Sequence, residues 1–330
     1  MAASAMHPVE GHQLKGISPS AFQHPADRAA SAALGSVPYL DRVVRKLIEL
    51  GYERALRQSY LGSSVKLSEA QLGEVWRDHA LAYTTLDMQE VPDLYLTQVP
   101  IANAATIGAK RPMVVVQSGL LRLLDAPQRR AVFAHEAAHV LSDHQLYGTA
   151  LTILVSLTMT ARLPLPLAPV RTALLEWSRA TELSCDRAAV IVTRDPLVVC
   201  RTLMSIAAGA MVDELDLDAF MRQGLDYVEA GGGLERLTRL AIDLGVTHPM
   251  PVRRVHELMA WVHSGEFDRI LAGEYTKRDE PRDARAHGGE AIAYYAERFR
   301  DAFREAGDQI NSSGKQLADW LRNAGGEDEQ

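Results

Sequence analysis

The segment His135-Glu136-Ala137-Ala138-His139 carries the most specific chemical pattern in this sequence of 330 residues. On a helix, positions i and i+4 share one face with Cβ atoms about 6 Å apart, so the two imidazoles can bind one zinc ion. Glu136 is offset around the helix but lies beside the metal, where it can take a proton from zinc-bound water and pass it to a leaving amine. The segment predicts a helix that carries out metal-assisted hydrolysis.

An accidental match is the alternative, because a chain with 11 histidines contains this pattern by chance with a probability of about 2%. An accidental copy would more often lie on a solvated surface. Here the flanking residues are small or apolar, namely Ala131, Val132, Phe133, Ala134, Val140 and Leu141. Burying two histidines and a glutamate in such a helix is costly without a partner, and one Zn²⁺ ion per chain supplies that partner.

The third zinc ligand is predicted from a second helical spacing, because a catalytic zinc ion has three protein ligands and one open position. Glu182 and Asp186 are i and i+4 on a later helix and share a face. Glu182 can bind zinc while Asp186 accepts a hydrogen bond from a ligating histidine. If this spacing is the only evidence, ordinary ion pairs of Glu182 and Asp186 with Arg179 or Arg187 are the better interpretation. Cys185 points off their face and is predicted to be a small buried thiol.

The composition narrows the classes of function. Only Cys185 and Cys200 are present, which excludes a cysteine-built zinc site and a disulfide framework and fits a reducing compartment. The formal net charge of −7 and the 6% aromatic content argue against a nucleic-acid partner. Residues 1–36 lack the basic and apolar regions of a secretory signal, so we expect a cytoplasmic protein.

The order of patterned segments predicts an α+β fold that is mainly α-helical. Residues 1–36 show no sustained period and are predicted to be poorly ordered. Three β-prone segments are predicted to form a small antiparallel sheet packed on the active-site helix, at 94–98, 103–107 and 113–117. That helix is predicted to begin at Asp125 as its N-cap and to run to about residue 144.

The uncharged segment 145–161 raises the question of membrane contact, and it is the best candidate for a span in this sequence. It has 17 residues and several hydroxyl side chains, whereas a span needs about 20 mainly apolar residues. The prediction is a buried or interfacial helical hairpin, broken by Pro164, Pro166 and Pro169. Peripheral membrane contact through 145–169 stays open as an alternative.

Four blocks in a fixed order resemble the HtpX-like zinc endopeptidases, the gluzincin family that also contains the CAAX prenyl proteases. They are Asn103-Ala104 with Gly108, Ser118-Gly119-Leu120-Leu121, His135-Glu136-x-x-His139 with Glu182-x-x-x-Asp186, and Thr247-His248-Pro249 with Arg254. The resemblance covers about residues 91–265 and is to soluble bacterial members. Ala138 stands where the family often has Gly, and Cys185 where Ala is usual, so both departures keep a small residue.

The resemblance implies a role for each residue of the site. The residues implied at the metal are His135, His139 and Glu182 as zinc ligands, Glu136 as general base and Asp186 behind a ligating histidine. His248 and Arg254 would lie near the open zinc position and stabilise the tetrahedral intermediate. Alternatively, His248 would occupy the fourth position in a latent state. Asn103 and Ala104 would lie on an edge strand that holds an extended peptide.

The implied activity is a zinc metalloendopeptidase that hydrolyses peptide bonds in extended or unfolded polypeptides, built on a gluzincin-type core. The expected organisation is a loose segment 1–36, a metallopeptidase domain 37–275 with a helical part 37–90 and a catalytic core 91–265, and a linker with an amphipathic helical tail 276–330. Two alternatives stay open, a membrane-associated quality-control protease and a latent or non-catalytic zinc-binding scaffold. The apolar stripe from Ile292 to Trp320 predicts that residues 288–323 dock on their own domain or on a protein partner.

Overall fold

The computed structural model describes residues 12–37, 40–159, 167–229 and 250–280, with scattered residues between 304 and 319. Its α-helices are α1 (Pro25–Gly35), α2 (Leu40–Glu49), α3 (Tyr52–Ser63), α4 (Gly73–Thr85), α5 (Ser118–Leu123), α6 (Ala126–Leu141), α7 (Gln145–Met159), α8 (Ala168–Thr193), α9 (Pro196–Ala208), α10 (Leu217–Glu229), α11 (Pro251–His263) and α12 (Glu266–Leu271). Its strands are β1 (Val65–Lys66), β2 (Asp93–Thr97), β3 (Ala104–Ile107) and β4 (Met113–Gln117). Helices dominate beside one small sheet, so the predicted α+β, mainly α-helical class is confirmed.

Helices α6 and α8 pack on each other at the centre of the fold. The N-cap of α6 is Asp125, as predicted, and it forms a capping box with Gln128 that satisfies backbone N–H groups at both positions. Helix α8 is buried over almost all of its surface from residue 180 to residue 191. A helix buried on all sides is usually apolar all round, whereas α8 carries charged residues inside, and those residues form the site described below.

The sheet is mixed, with the strand order β1-β2-β4-β3. Strand β3 pairs with β4 in antiparallel fashion, whereas β2 and β4 run parallel. The predicted antiparallel arrangement is therefore wrong for β2 and β4, because β3 folds back on the outer side of β4 and leaves β4 beside β2. The β3–β4 turn requires Gly108, whose φ is +113° and whose added Cβ would lie 2.5 Å from the carbonyl oxygen of Arg111.

Helix α7 covers most of the apolar segment 145–161 and packs by one face against α2 and α8. Ala150, Ile153 and Leu154 are buried in a cluster shared with α1, α2 and α8, while Met159 is 83% exposed at the helix end. One side of α7 is therefore a core face. Residues 160–166, which include Pro164 and Pro166, lie outside the described residues, so the predicted hairpin stays a prediction.

One helical stretch among the described residues is long and apolar enough to cross a membrane, by length and composition only. It runs over Pro196–Glu214, has a mean hydropathy of 1.4 and is one-third buried. The prediction that 145–161 is the best candidate is wrong on this measure. Core helices of water-soluble proteins meet the same criteria, and Val199, Cys200 and Leu203 of this stretch lie in the main core.

The N-terminal residues from 12 onward are part of the packed fold, so the prediction that 1–36 is poorly ordered is wrong for them. Leu14, Ile17 and Phe22 are completely buried. The amide of Leu14 donates to the carbonyl of Thr85 at 2.8 Å, and Ile17 forms a β-bridge with Lys277. These contacts are single long-range ones, which leave no periodic pattern in the sequence.

The apolar residues of the predicted tail stripe lie outside the described residues, and the domain boundaries stay predictions.

We expect Phe22→Ala to lower the free energy of unfolding by about 3–5 kcal/mol, because it removes a fully buried ring from the main core. Chemical denaturation of the full chain measures this change. The matched control is Ile101→Ala at a 63% exposed position, where the change should stay within about 0.5 kcal/mol. A loosely attached N-terminal segment would instead give equally small changes for both variants.

Candidate metal and catalytic site

Two histidines of α6 and one glutamate of α8 converge in the interior. The Nε2 atom of His135 lies 3.3 Å from Oε2 of Glu182, and Nε2 of His139 lies 3.4 Å from Oε1 of the same carboxylate. His135 and Glu182 are buried, and the side chain of His139 is 18% exposed. The structure thus brings together the three residues predicted as zinc ligands.

The donor atoms of these three residues lie close enough together to hold one zinc ion. Zinc binds histidine nitrogen and carboxylate oxygen at about 2.0–2.2 Å, and ligand atoms on a tetrahedron of that size lie about 3.3–3.6 Å apart. The two nitrogen–oxygen distances are of this order, each to a different oxygen of the Glu182 carboxylate. Two imidazoles and a carboxylate also leave one position open, which is the arrangement of catalytic rather than structural zinc sites.

Cys185 is a neighbour of the site, with Sγ and one ligand atom of each of His135 and His139 all within 4.8 Å of one another. The thiol is completely buried. Burial, followed by the nearby carboxylates of Glu182 and Asp27, raises the pKa of Cys185 well above its usual range. Glu182 contacts both Nε2 atoms and remains the predicted third ligand, and Cys185 is buried as predicted.

Behind His135 lies a buried ion-pair network. Oδ1 of Asp186 is 3.1 Å from Nδ1 of His135, on the side of the ring away from Glu182. Arg254 of α11 donates to both oxygens of Asp186, at 2.7 Å from Nε and 2.6 Å from Nη2. Burial would raise the pKa of Asp186, but the charge and hydrogen bonds of Arg254 hold it below its usual value. The predicted contact between Asp186 and a ligating histidine is present.

Arg254 is a buried cation that pairs with both carboxylates of α8. Besides Asp186, its guanidinium contacts Glu182, with 3.2 Å between Nη1 and Oε2. All three guanidinium nitrogens therefore face the carboxylates of Asp186 and Glu182. That Arg254 also stabilises the tetrahedral intermediate stays a prediction. His248, the other residue expected at the open position, lies outside the described residues.

Glu136 is held from the sheet by a residue that the sequence reasoning missed. The hydroxyl of Thr106 donates to Oε2 of Glu136 at 2.7 Å, and Glu136 itself is 5% exposed. Thr106 belongs to β3, which ends the described sheet. Side chains two residues apart share a face of a strand. Placing Ala104 on this strand therefore also predicts that Thr106 faces the same way.

The two residues predicted to bind substrate lie at the start of β3. Ala104 is buried and pairs with Val116 of β4. The carbonyl of Asn103 accepts a hydrogen bond from the amide of Gln117 at 3.0 Å. Both residues therefore contact β4 on the inner side of β3. The other long side of β3 ends the described sheet, and β3 also contacts α6 and α7.

Comparison with known proteins finds one matching family and a set of similar chains. The sequence model of peptidase family M48 matches residues 66–262. The plastoglobule-localized metallopeptidase 48, chloroplastic, of Arabidopsis thaliana is 34% identical over 259 residues, which are 76% of this chain and 74% of that protein. The protease HtpX homolog of Burkholderia ambifaria is 28% identical over 208 residues, covering 54% of this chain and 70% of the relative.

The comparison with solved structures found no match. The match to the M48 model contains every described residue of the site, from Ala104 on β3 to Arg254 on α11. It covers more than half of the chain, and the resemblance to HtpX-like proteases is confirmed. Both named relatives are proteases or peptidases. The chain therefore belongs to peptidase family M48.

Proposed function

We propose that this peptidase is a zinc-dependent endopeptidase that cuts extended or unfolded protein segments. The observation that carries the proposal is the convergence of His135, His139 and Glu182, with Glu136 beside them in a buried site. These three residues would hold the metal. When bound, zinc supplies Lewis-acid polarisation of a carbonyl and lowers the pKa of water towards neutrality.

Glu136 would act as the general base. Its carboxylate follows His135 on α6 and is oriented by the Thr106 hydroxyl. From this position it would accept the proton of the attacking water at one oxygen and return it to the amine of the departing peptide. A base fixed by a hydrogen bond loses little orientational freedom during the reaction, which favours catalysis.

The substrate would bind as an added strand along β3. A peptide at a sheet edge is held by main-chain hydrogen bonds and needs no particular side-chain sequence. Since Thr106 of β3 contacts Glu136, a peptide that runs along this strand would pass the base. Backbone pairing requires an extended chain, which supports unfolded segments as the substrate class.

A membrane-associated form of the same protease is the second candidate. The stretch Pro196–Glu214 and the residue after it expose Leu197 (45%), Met211 (57%) and Leu215 (49%). One relative is named as plastoglobule-localized, whereas the sequence favours a cytoplasmic protein. Fractionation separates the two, because pelleting with membranes that resists high salt supports the membrane-associated form, and recovery in the supernatant supports the cytoplasmic one.

We expect Glu136→Gln to abolish cleavage of an unfolded protein while zinc content and thermal stability stay at the wild-type level. Loss of a general base lowers the rate about 10²–10⁴-fold. A gel-based cleavage assay and metal analysis of the purified full chain measure the two effects. Glu69→Gln at an exposed position is the control and should leave both unchanged. Undiminished cleavage by Glu136→Gln would refute the assigned role, and zinc binding without wild-type cleavage would favour the scaffold alternative.

Replacing Thr106 tests how the base is held. Thr106→Val keeps the shape but removes the donor to Glu136 and should lower kcat about 10–100-fold, since a hydrogen bond to a charged group contributes about 1.5–3 kcal/mol. Thr106→Ser keeps the hydroxyl and should retain most of the activity, with equal zinc content in both variants. Wild-type kcat in Thr106→Val would show that the hydroxyl of Thr106 is not needed to hold Glu136.

Arg254→Met should lower the free energy of unfolding by about 3–5 kcal/mol, because it leaves two buried carboxylates without their cation. Zinc content after dialysis should fall with it. The control is Arg222→Met, whose partner Asp216 and own side chain are both 69% exposed, so the change should stay below about 1 kcal/mol. Similar small effects in the two variants would show that Arg254 is not needed to hold the ligands.

A further inference from the structure

The two ligating histidines differ in what stands behind them. A histidine that binds metal through Nε2 carries its hydrogen on Nδ1 and must donate it to fix the ring. For His135 the acceptor is the carboxylate of Asp186. For His139 the group facing Nδ1 is another imidazole, with 3.2 Å between its Nδ1 and that of His144. The metal site therefore requires His144 to act as an acceptor.

That requirement fixes the hydrogen positions of His144. If Nδ1 of His144 accepts from His139, its own hydrogen is on Nε2. This Nε2 lies 3.6 Å from Oδ2 of Asp27, a carboxylate with no exposed surface. The indole of Trp177 packs edge-on against the His144 ring, with ring centroids 5.5 Å apart and planes at 89°. The ring is thereby held between a metal ligand and a buried acid.

Asp27 is itself held as an ionised acceptor. The hydroxyls of Ser184 and Ser31 donate to its oxygens at 2.6 and 3.0 Å. Burial would raise the pKa of Asp27, but His144 and the two serines keep it below its usual value. Ser184 belongs to α8, between Glu182 and Asp186, and it also accepts a hydrogen bond from the amide of His24. The N-terminal helix is thus joined to the ligand-bearing helix at the metal site.

We propose that helix α1 completes the metal centre, with Asp27 acting through His144 to fix the tautomer and orientation of the zinc ligand His139. The inference rests on the proposed zinc site. Asp27 lies before the segment 66–262 that matches the family model, so the support for the second histidine comes from outside the matched segment. Asp27 and His144 are positioning residues, since neither contacts the reacting atoms.

The test is the zinc dissociation constant of the full chain, measured by competition with a chromophoric chelator. His144→Phe keeps the ring shape but removes the acceptor, and Asp27→Asn removes the charge. Both should weaken zinc binding about 10–100-fold, the usual effect of losing such a partner. His144→Asn can present its amide oxygen near the position of Nδ1 and should restore most of the affinity.

The matched control is Glu257→Gln. Glu257 pairs with His24 at 3.4 Å and so also ties the N-terminal segment to the body, but by a contact that does not include His139. The zinc affinity of the Glu257→Gln variant should equal that of the wild type. Thermal unfolding of the metal-free proteins shows how much stability each variant loses, so that affinities can be compared among variants that remain folded.

The outcomes separate the inference from the proposed function. Weak zinc binding by His144→Phe with recovery in His144→Asn supports the positioning role, because a loss of packing alone would not be restored by the smaller side chain. Wild-type affinity in both His144→Phe and Asp27→Asn overturns the inference and leaves the zinc peptidase intact. Equal weakening in Asp27→Asn and Glu257→Gln overturns it as well. A wild-type chain that binds no zinc would overturn both the inference and the proposed function.

Discussion

The rest of the site depends on two buried carboxylates of α8, which the neighbouring helices must pair with positive or hydrogen-bonding groups. Glu182 and Asp186 are both 2% exposed, and an unpaired carboxylate in such surroundings costs several kcal/mol. Helix α6 contacts these carboxylates with two imidazoles, and α11 contacts them with the guanidinium of Arg254. The packing of these helices is therefore set by charge pairing as well as by apolar contact, and the ligand geometry follows from the same contacts.

Those parts of the site that follow from spacing within one helix could be predicted from the sequence. His135 and His139 share a face because they are four residues apart, and the same rule applies to Glu182 and Asp186. The capping residue Asp125 was also predictable, because a cap is a local interaction. Each of these predictions needed only helix geometry and a reason for polar residues to be buried.

The rest depends on contacts between distant segments, which spacing does not encode. The hydroxyl of Thr106 reaches Glu136 only because β3 lies beside α6, and Arg254 meets Asp186 only through the docking of α11 on α8. The order of strands is a similar case, since pattern alone does not say on which side of β4 the hairpin folds back. The order of the N-terminal segment is not predictable from its pattern, because its burial depends on single contacts with distant residues. The hydrogen bond between Leu14 and Thr85 is one of them.

The position of Arg254 late in the chain has a consequence for biosynthesis. Translation makes α6 and α8 well before α11, and chains begin to fold as they emerge. Until residue 254 is available, the carboxylates of Glu182 and Asp186 lack the cation that accompanies them in the finished structure. An unfinished chain therefore contains the HExxH segment before the two carboxylates beside it are paired with Arg254. The pairing of these two carboxylates with Arg254 can therefore form only after residue 254 has been made.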